Sequence, residues 1–154
     1  MSNLKFQIPN KKSFTLIEVL IVISIIGIIA GVSWGTLKFL QPSWQLNSAV
    51  REILGDLHFA QQMAVTEQVN YGVSFFATTS EYQITKYGTT TQIILSKSLP
   101  ADIEFKEITG FTNNEVLFNP YGAVKEGGTV SLINKVGKTK TVEIRPSGFV
   151  KIAE

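Results

Sequence analysis

The sequence predicts an α+β protein: a long N-terminal α-helix, membrane-spanning in its first half, packed on a C-terminal antiparallel β-sheet head. Three observations predict it. An apolar block almost without charge runs from Phe14 to Leu40. A stripe of apolar residues at helical spacing follows it. From Tyr71 onward the apolar period falls from about 3.6 residues to 2. The chain therefore divides into a basic leader (1–13), a transmembrane helix (14–40), an amphipathic helix (41–69) and a β-rich globular head (70–154), with no second head domain and no internal repeat.

Composition supports that division. Of 154 residues, 44% are hydrophobic and only 17% charged, against about 25% charged in a typical soluble domain. The apolar excess sits in the one block. There is no cysteine, so disulfides, thiolate chemistry and Cys-based zinc sites are excluded and the head must hold by its own core. The net charge of +2 belongs to the leader. Lys5, Lys11 and Lys12 precede the apolar block with no acid among them, and removing residues 1–13 leaves 11 basic against 12 acidic residues, a net −1. The basicity reports on topology more than on a polyanionic partner.

From Val19 to Val32 the only polar side chain is Ser24, and from Phe14 to Phe39 the only charges are Glu18 and Lys38. As a helix this stretch covers roughly 40 Å, enough for a bilayer core of about 30 Å. A secretory signal would have a shorter apolar region and a small-residue cleavage site after it. Lys11 and Lys12 place the N-terminus in the cytoplasm by the positive-inside bias, so the rest of the chain is exported. Glu18 is the odd residue, because a carboxylate at a membrane-helix centre costs about 2.5–3.5 kcal/mol and less near the end. It either reaches back to the interface or awaits a partner charge.

The run Lys11-Lys12-Ser13-Phe14-Thr15-Leu16-Ile17-Glu18-Val19-Leu20 resembles the class III signal of type IV prepilins and type II secretion pseudopilins. The resemblance implies cleavage between Ser13 and Phe14 by a prepilin peptidase, N-methylation of Phe14, and Glu18 as the fifth mature residue. Ser13 departs from the family, which usually has Gly before the cut. The resemblance also gives Glu18 a role in assembly: the Phe14 amine, with a reference pKa of about 7.7–8.0, is mostly cationic at neutral pH and would pair with the carboxylate of a neighbouring subunit. Implied partners are other pilin or pseudopilin subunits, the peptidase, an inner-membrane assembly platform and membrane lipid. The implied location is the inner membrane, single-pass with the head exported, and then the filament.

Gly27, Gly31 and Gly35 recur at four-residue spacing and form a small-xxx-small face for helix packing. Pro42, at the membrane exit, removes a backbone donor and is expected to kink or interrupt the helix. Beyond it, Leu46, Val50, Ile53, Leu54, Leu57 and Ala64 form one apolar stripe ending near Thr66–Val69, while Arg51, Glu52 and Asp56 point elsewhere. His58 stands at the border of that stripe without a second His or a carboxylate pair, so it reads as neither ligand nor catalyst.

Strands are expected at Tyr71–Phe76, Glu81–Tyr87, Thr91–Ser96, Ile103–Phe105, Val116–Asn119, Thr129–Ile133, Thr141–Arg145 and Phe149–Lys151, separated by turn residues such as Gly88, Pro100, Pro120-Tyr121-Gly122 and Pro146-Ser147-Gly148. The pieces Val116-Leu117-Phe118-Asn119-Pro120-Tyr121-Gly122 and Val142 to Val150 are similar to the GspH/FimT-like minor pilins and pseudopilins, which implies a minor filament subunit.

No nucleotide loop, metal-ligand spacing or catalytic triad is present in the sequence. The acids Asp102, Glu104 and Glu107 read as a solvated face. No enzyme activity, cofactor or metal is expected. Lys135, Lys138 and Lys140, with Arg145, form the best surface candidate. They read as a soluble hairpin tip that guards a sheet edge. The alternative is a phosphate-binding patch of a DNA-uptake pilin, as in some FimT-like relatives. A third reading is a permanent single-pass membrane protein unrelated to pili.

Overall fold

The computed structural model describes residues 14–153 and, for residues 32–40, the helical backbone alone. The expected leader, the cleavage position Ser13 and the surroundings of Gly35 lie outside the described residues. The chain forms two compact units that meet between Phe39 and Leu40, and helix α1 (Leu16–Glu67) contributes to both.

In the first unit α1 starts at a built cap. The Thr15 side-chain oxygen accepts a bond from the Glu18 N–H at 3.3 Å, and the Thr15 carbonyl accepts from the N–H groups of Glu18 and Val19 at 3.1 and 3.3 Å. Thr15-x-x-Glu18 has the spacing of a capping box, and it sets a carboxylate in the first turn, where the helix dipole favours negative charge. The lone polar side chain of the apolar run, Ser24, donates to the Leu20 carbonyl at 2.7 Å, so its hydroxyl is satisfied within the helix. Among the described residues no helical segment is long and apolar enough to cross a membrane. The segment with described side chains, residues 16–31, covers only about 24 Å, and the expected span continues into residues 32–40.

The second unit is the head. The helical backbone continues through Pro42, so the expected interruption is not found. Proline removes one donor only, which a helix can lose without ending; the Asn134 side-chain amide also donates to the Pro42 carbonyl at 3.0 Å. Leu46, Val50, Ile53, Leu57 and Ala64 are buried as the stripe requires, joined by Ala49 and Ala60, while Leu54 is partly buried at its margin.

Among the described residues the eight strands are β1 (Asn70–Phe76), β2 (Glu81–Tyr87), β3 (Thr91–Ser98), β4 (Ile103–Thr109), β5 (Glu115–Phe118), β6 (Gly128–Asn134), β7 (Thr139–Ile144) and β8 (Val150–Ala153). They form two four-stranded antiparallel sheets, ordered β3-β2-β1-β5 and β4-β6-β7-β8. β4 extends past the expected end at Phe105 because its register shifts between Phe105 and Glu107. The bulge resets the alternation that marks a strand in sequence. One core joins the helix stripe to both sheets. Tyr71, Val73, Ile84, Val116 and Phe118 come from the first sheet and Ile103, Val130, Leu132, Val142 and Ile144 from the second. Each fully buried aliphatic side chain contributes about 1.5–3 kcal/mol. Phe75 of β1 meets Phe105 of β4 edge-on, with ring centroids 5.6 Å apart, and so links the sheets.

Candidate assembly surfaces

Among the described residues of the first unit, the large apolar side chains are broadly exposed. Leu16, Ile17, Val19 to Ile23, Ile25, Ile26, Ile28 and Ile29 are all 48–78% exposed, which puts bare apolar surface on every side of the helix. Glu18 is exposed among them, and with Phe14, Val19 and Val22 it lines a groove whose other three members are apolar. Phe14, the expected mature N-terminus, is 79% exposed. Side chains built at Gly27 and Gly31 would meet nothing within 4 Å, so these glycines leave open surface for a close neighbour.

In the head the candidate bases are largely engaged. Lys135 pairs with Asp102. Lys138 donates to the Ser43 hydroxyl at 2.9 Å. The Glu143 carboxylate takes Arg145 at 2.8 Å and Lys151 at 3.1 Å, and these bonds hold its pKa below the usual carboxylate value. Lys140 lines a groove with Lys138, Ser43 and Asn47. Arg145 also lies 5.9 Å from the centre of the exposed Phe149 ring. The structure thus brings Lys138 and Lys140 together beside the start of the head helix. Arg145 belongs to a separate ion cluster with Glu143 and Lys151.

Glu104 and Glu107 are exposed. His58 is exposed on the helix. Among the described residues no three His, Cys, Asp or Glu side chains converge to hold a metal.

Three polar arrangements escaped sequence reasoning. Asp56 does not point away: it accepts from the Tyr82 hydroxyl at 2.6 Å and from Lys97 at 2.8 Å, and Lys97 also reaches Glu52 at 2.9 Å. Burial, followed by the bond to Asp56, pushes the Tyr82 pKa strongly upward. At the end of α1, Glu67 accepts from Tyr71 at 2.8 Å and pairs with Lys86. The bonds from Lys86 and Tyr71 lower the Glu67 pKa, while burial and then Glu67 raise that of Tyr71 to about 12. The third arrangement is a clamp. The Gln61 side-chain amide donates to the carbonyls of Gly122 at 2.7 Å and Gly148 at 2.9 Å. It ties two turns that carry exposed aromatics, Tyr121 (90%) and Phe149 (55%). Gly148, with φ of +83°, packs so tightly that an added Cβ would lie 1.9 Å from the Gly122 carbonyl oxygen. For the first two the available signal was acids at the helix border; Gln61 carries none.

The prokaryotic N-terminal methylation motif matches residues 8–34, and the family of type II transport protein GspH matches residues 49–148. No curated protein matches the chain. Among solved structures, the minor pseudopilin EpsH of the Vibrio cholerae type 2 secretion system superposes with a TM-score of 0.61 at 12% identity, covering 71% of this chain and 96% of EpsH. The type IV minor pilin FimU of Pseudomonas aeruginosa superposes with a TM-score of 0.59 at 14% identity, covering 75% of this chain and 92% of FimU. At such identities the likeness is one of fold: a helix followed by an antiparallel β head.

Proposed function

The chain belongs to the GspH family and is a minor pilin-like or pseudopilin-like subunit with an N-terminal methylation motif; from that premise we propose that Phe14 is its mature N-terminus and that Glu18 drives its assembly into a type IV pilus or type II secretion pseudopilus. In this reading a prepilin peptidase removes residues 1–13, the helix holds the subunit in the cytoplasmic membrane with its head exported, and an inner-membrane platform feeds it into the filament. The observation that carries the reading is the placement of Glu18. It sits in the first turn of helix α1, whose described first half carries exposed apolar side chains on every side, where lipid solvates a carboxylate poorly and a neighbouring subunit's amine would neutralise it. Gly27 and Gly31 let neighbouring helices approach, and Gly35 continues their spacing.

The test is Glu18→Ala. Intact mass and N-terminal sequencing of protein recovered from the membrane should show a chain starting at N-methylated Phe14, and the variant should be missing from sheared filaments. Normal incorporation of the variant removes the role of Glu18. A mature chain that keeps residues 1–13 favours the permanently anchored reading instead.

A further inference from the structure

The β6–β7 hairpin tip lies at the end of the head that joins the anchor. Two bonds put it there: Asn134 to the Pro42 carbonyl at 3.0 Å and Lys138 to the Ser43 hydroxyl at 2.9 Å. Ser43 follows the expected span, which ends at Leu40, by three residues. Whatever the tilt of the helix, three residues reach at most about 11 Å. The tip is therefore confined to the headgroup layer or its edge, within roughly one Debye length of lipid charge.

The side chains there suit that layer. Trp44 is 58% exposed and Val136, at the tip, 64% exposed. Indoles favour the membrane interface, and a lysine stem can lie along apolar surface while its ammonium stays in water. Lys138 and Lys140 flank one shallow groove against the helix. Lys135 is offset by Asp102, so the uncompensated positive charge of the tip comes from Lys138 and Lys140. The carboxylates Glu52 and Asp56, a few turns further along the helix, are engaged by Lys97.

We propose that this hairpin tip, with Trp44, is a docking surface for anionic phospholipid headgroups, which hold the head against the outer leaflet before the subunit enters a filament. Lys138 and Lys140 bind lipid phosphate, and Trp44 and Val136 enter the interface beside them. The phosphates that these lysines meet are those of the membrane and not of DNA. The inference rests on the membrane-held reading above.

The test uses the full chain with Trp34→Phe, which leaves Trp44 as its single tryptophan, reconstituted in phosphatidylcholine vesicles with or without phosphatidylglycerol. The readout is quenching of Trp44 by lipids brominated near the headgroup. Phosphatidylglycerol should increase quenching, and high salt should reverse the increase. Lys138→Ala and Lys140→Ala should each lower the ratio of docked to free head about fivefold. Lys138→Arg should restore it, which a purely structural bond to Ser43 does not predict. Quenching that is indifferent to phosphatidylglycerol, or to both lysines, overturns the proposal. So does duplex DNA binding the chain in phosphatidylcholine vesicles through the same lysines. Flotation separates the two levels: a chain that fails to float with vesicles refutes the membrane-held reading, whereas one that floats without lipid-dependent quenching refutes only the docking surface.

Discussion

The two halves of helix α1 both carry many apolar residues, more in the first than in the second, and they stand in opposite situations. From Leu16 to Ile29 the large aliphatic side chains are about half exposed or more, whichever way they face. From Leu46 to Ala64 the apolar residues on one face are buried under two sheets, while Arg51, Glu52 and His58 meet water. The second half is finished within a single chain. The first half is not, since its apolar surface needs lipid or another helix. An intermediate for filament growth requires that division: a head stable at all stages, and a helix whose surroundings can be exchanged.

The sharpest way to break the comparison is to make a similar deletion in both halves. Leu57→Ala, at a fully buried position, should cost the head about 2–5 kcal/mol in urea unfolding of the full chain in detergent. Ile23→Ala should leave that transition within about 0.5 kcal/mol. An equal cost at Ile23 would mean that the first half is not independent of the head.

A smaller effect probes the polar rim of the second half. Asp56→Ala removes the acceptor of Tyr82 and one of the two carboxylates that hold Lys97. It should cost about 1–3 kcal/mol, with Tyr82→Phe recovering part of the loss when added to it. Gln61→Ala, which frees two turn carbonyls, should cost about 1 kcal/mol and raise amide exchange at Gly122 and Gly148.

The smallest effect is in pH dependence. Glu67 is held below its usual pKa of 4.5 in the fold, so its contribution is complete above that value and is lost as pH falls through the lowered one. Tyr71 runs the other way. Its pKa is raised from 10 to about 12, so its contribution is complete below pH 10 and is lost as pH rises toward 12. Glu67→Gln should weaken both flanks of the stability–pH profile. A change on one flank only would show that burial alone shifts Tyr71.

The elements of this fold were legible because their signals are local. The helix stripe and all eight strands follow from period and turn residues, and most ends fall within a few residues of expectation. The pairing order was not legible. β5 joins β1 across more than forty residues, and β4 leaves β3 to begin a second sheet after Pro100. Such choices are made by core packing among distant residues, which no local period records. Asp56 was misplaced for a related reason. Periodicity names the apolar face but says nothing of a tyrosine and a lysine that lean over its edge from β2 and β3. Of the candidate sites, Glu18 and the glycine spacing could be read in the sequence, and so could the basic tract. That Lys138 is bound to Ser43, at the other end of the head's sequence, could not.

The Gln61 clamp sets a constraint in time. Its two acceptors lie 61 and 87 residues downstream, so in the export proposed above, with the helix crossing first, Gln61 would emerge long before either turn arrives. The stripe from Leu46 to Ala64 must wait, uncovered, until the strands have followed. The last turn to arrive, at Gly148, is also the one with no room for a side chain. On that proposed route the clamp would close only on a head delivered nearly whole, and a translocation stalled before Gly148 would leave the helix face bare for chaperones or proteases to find.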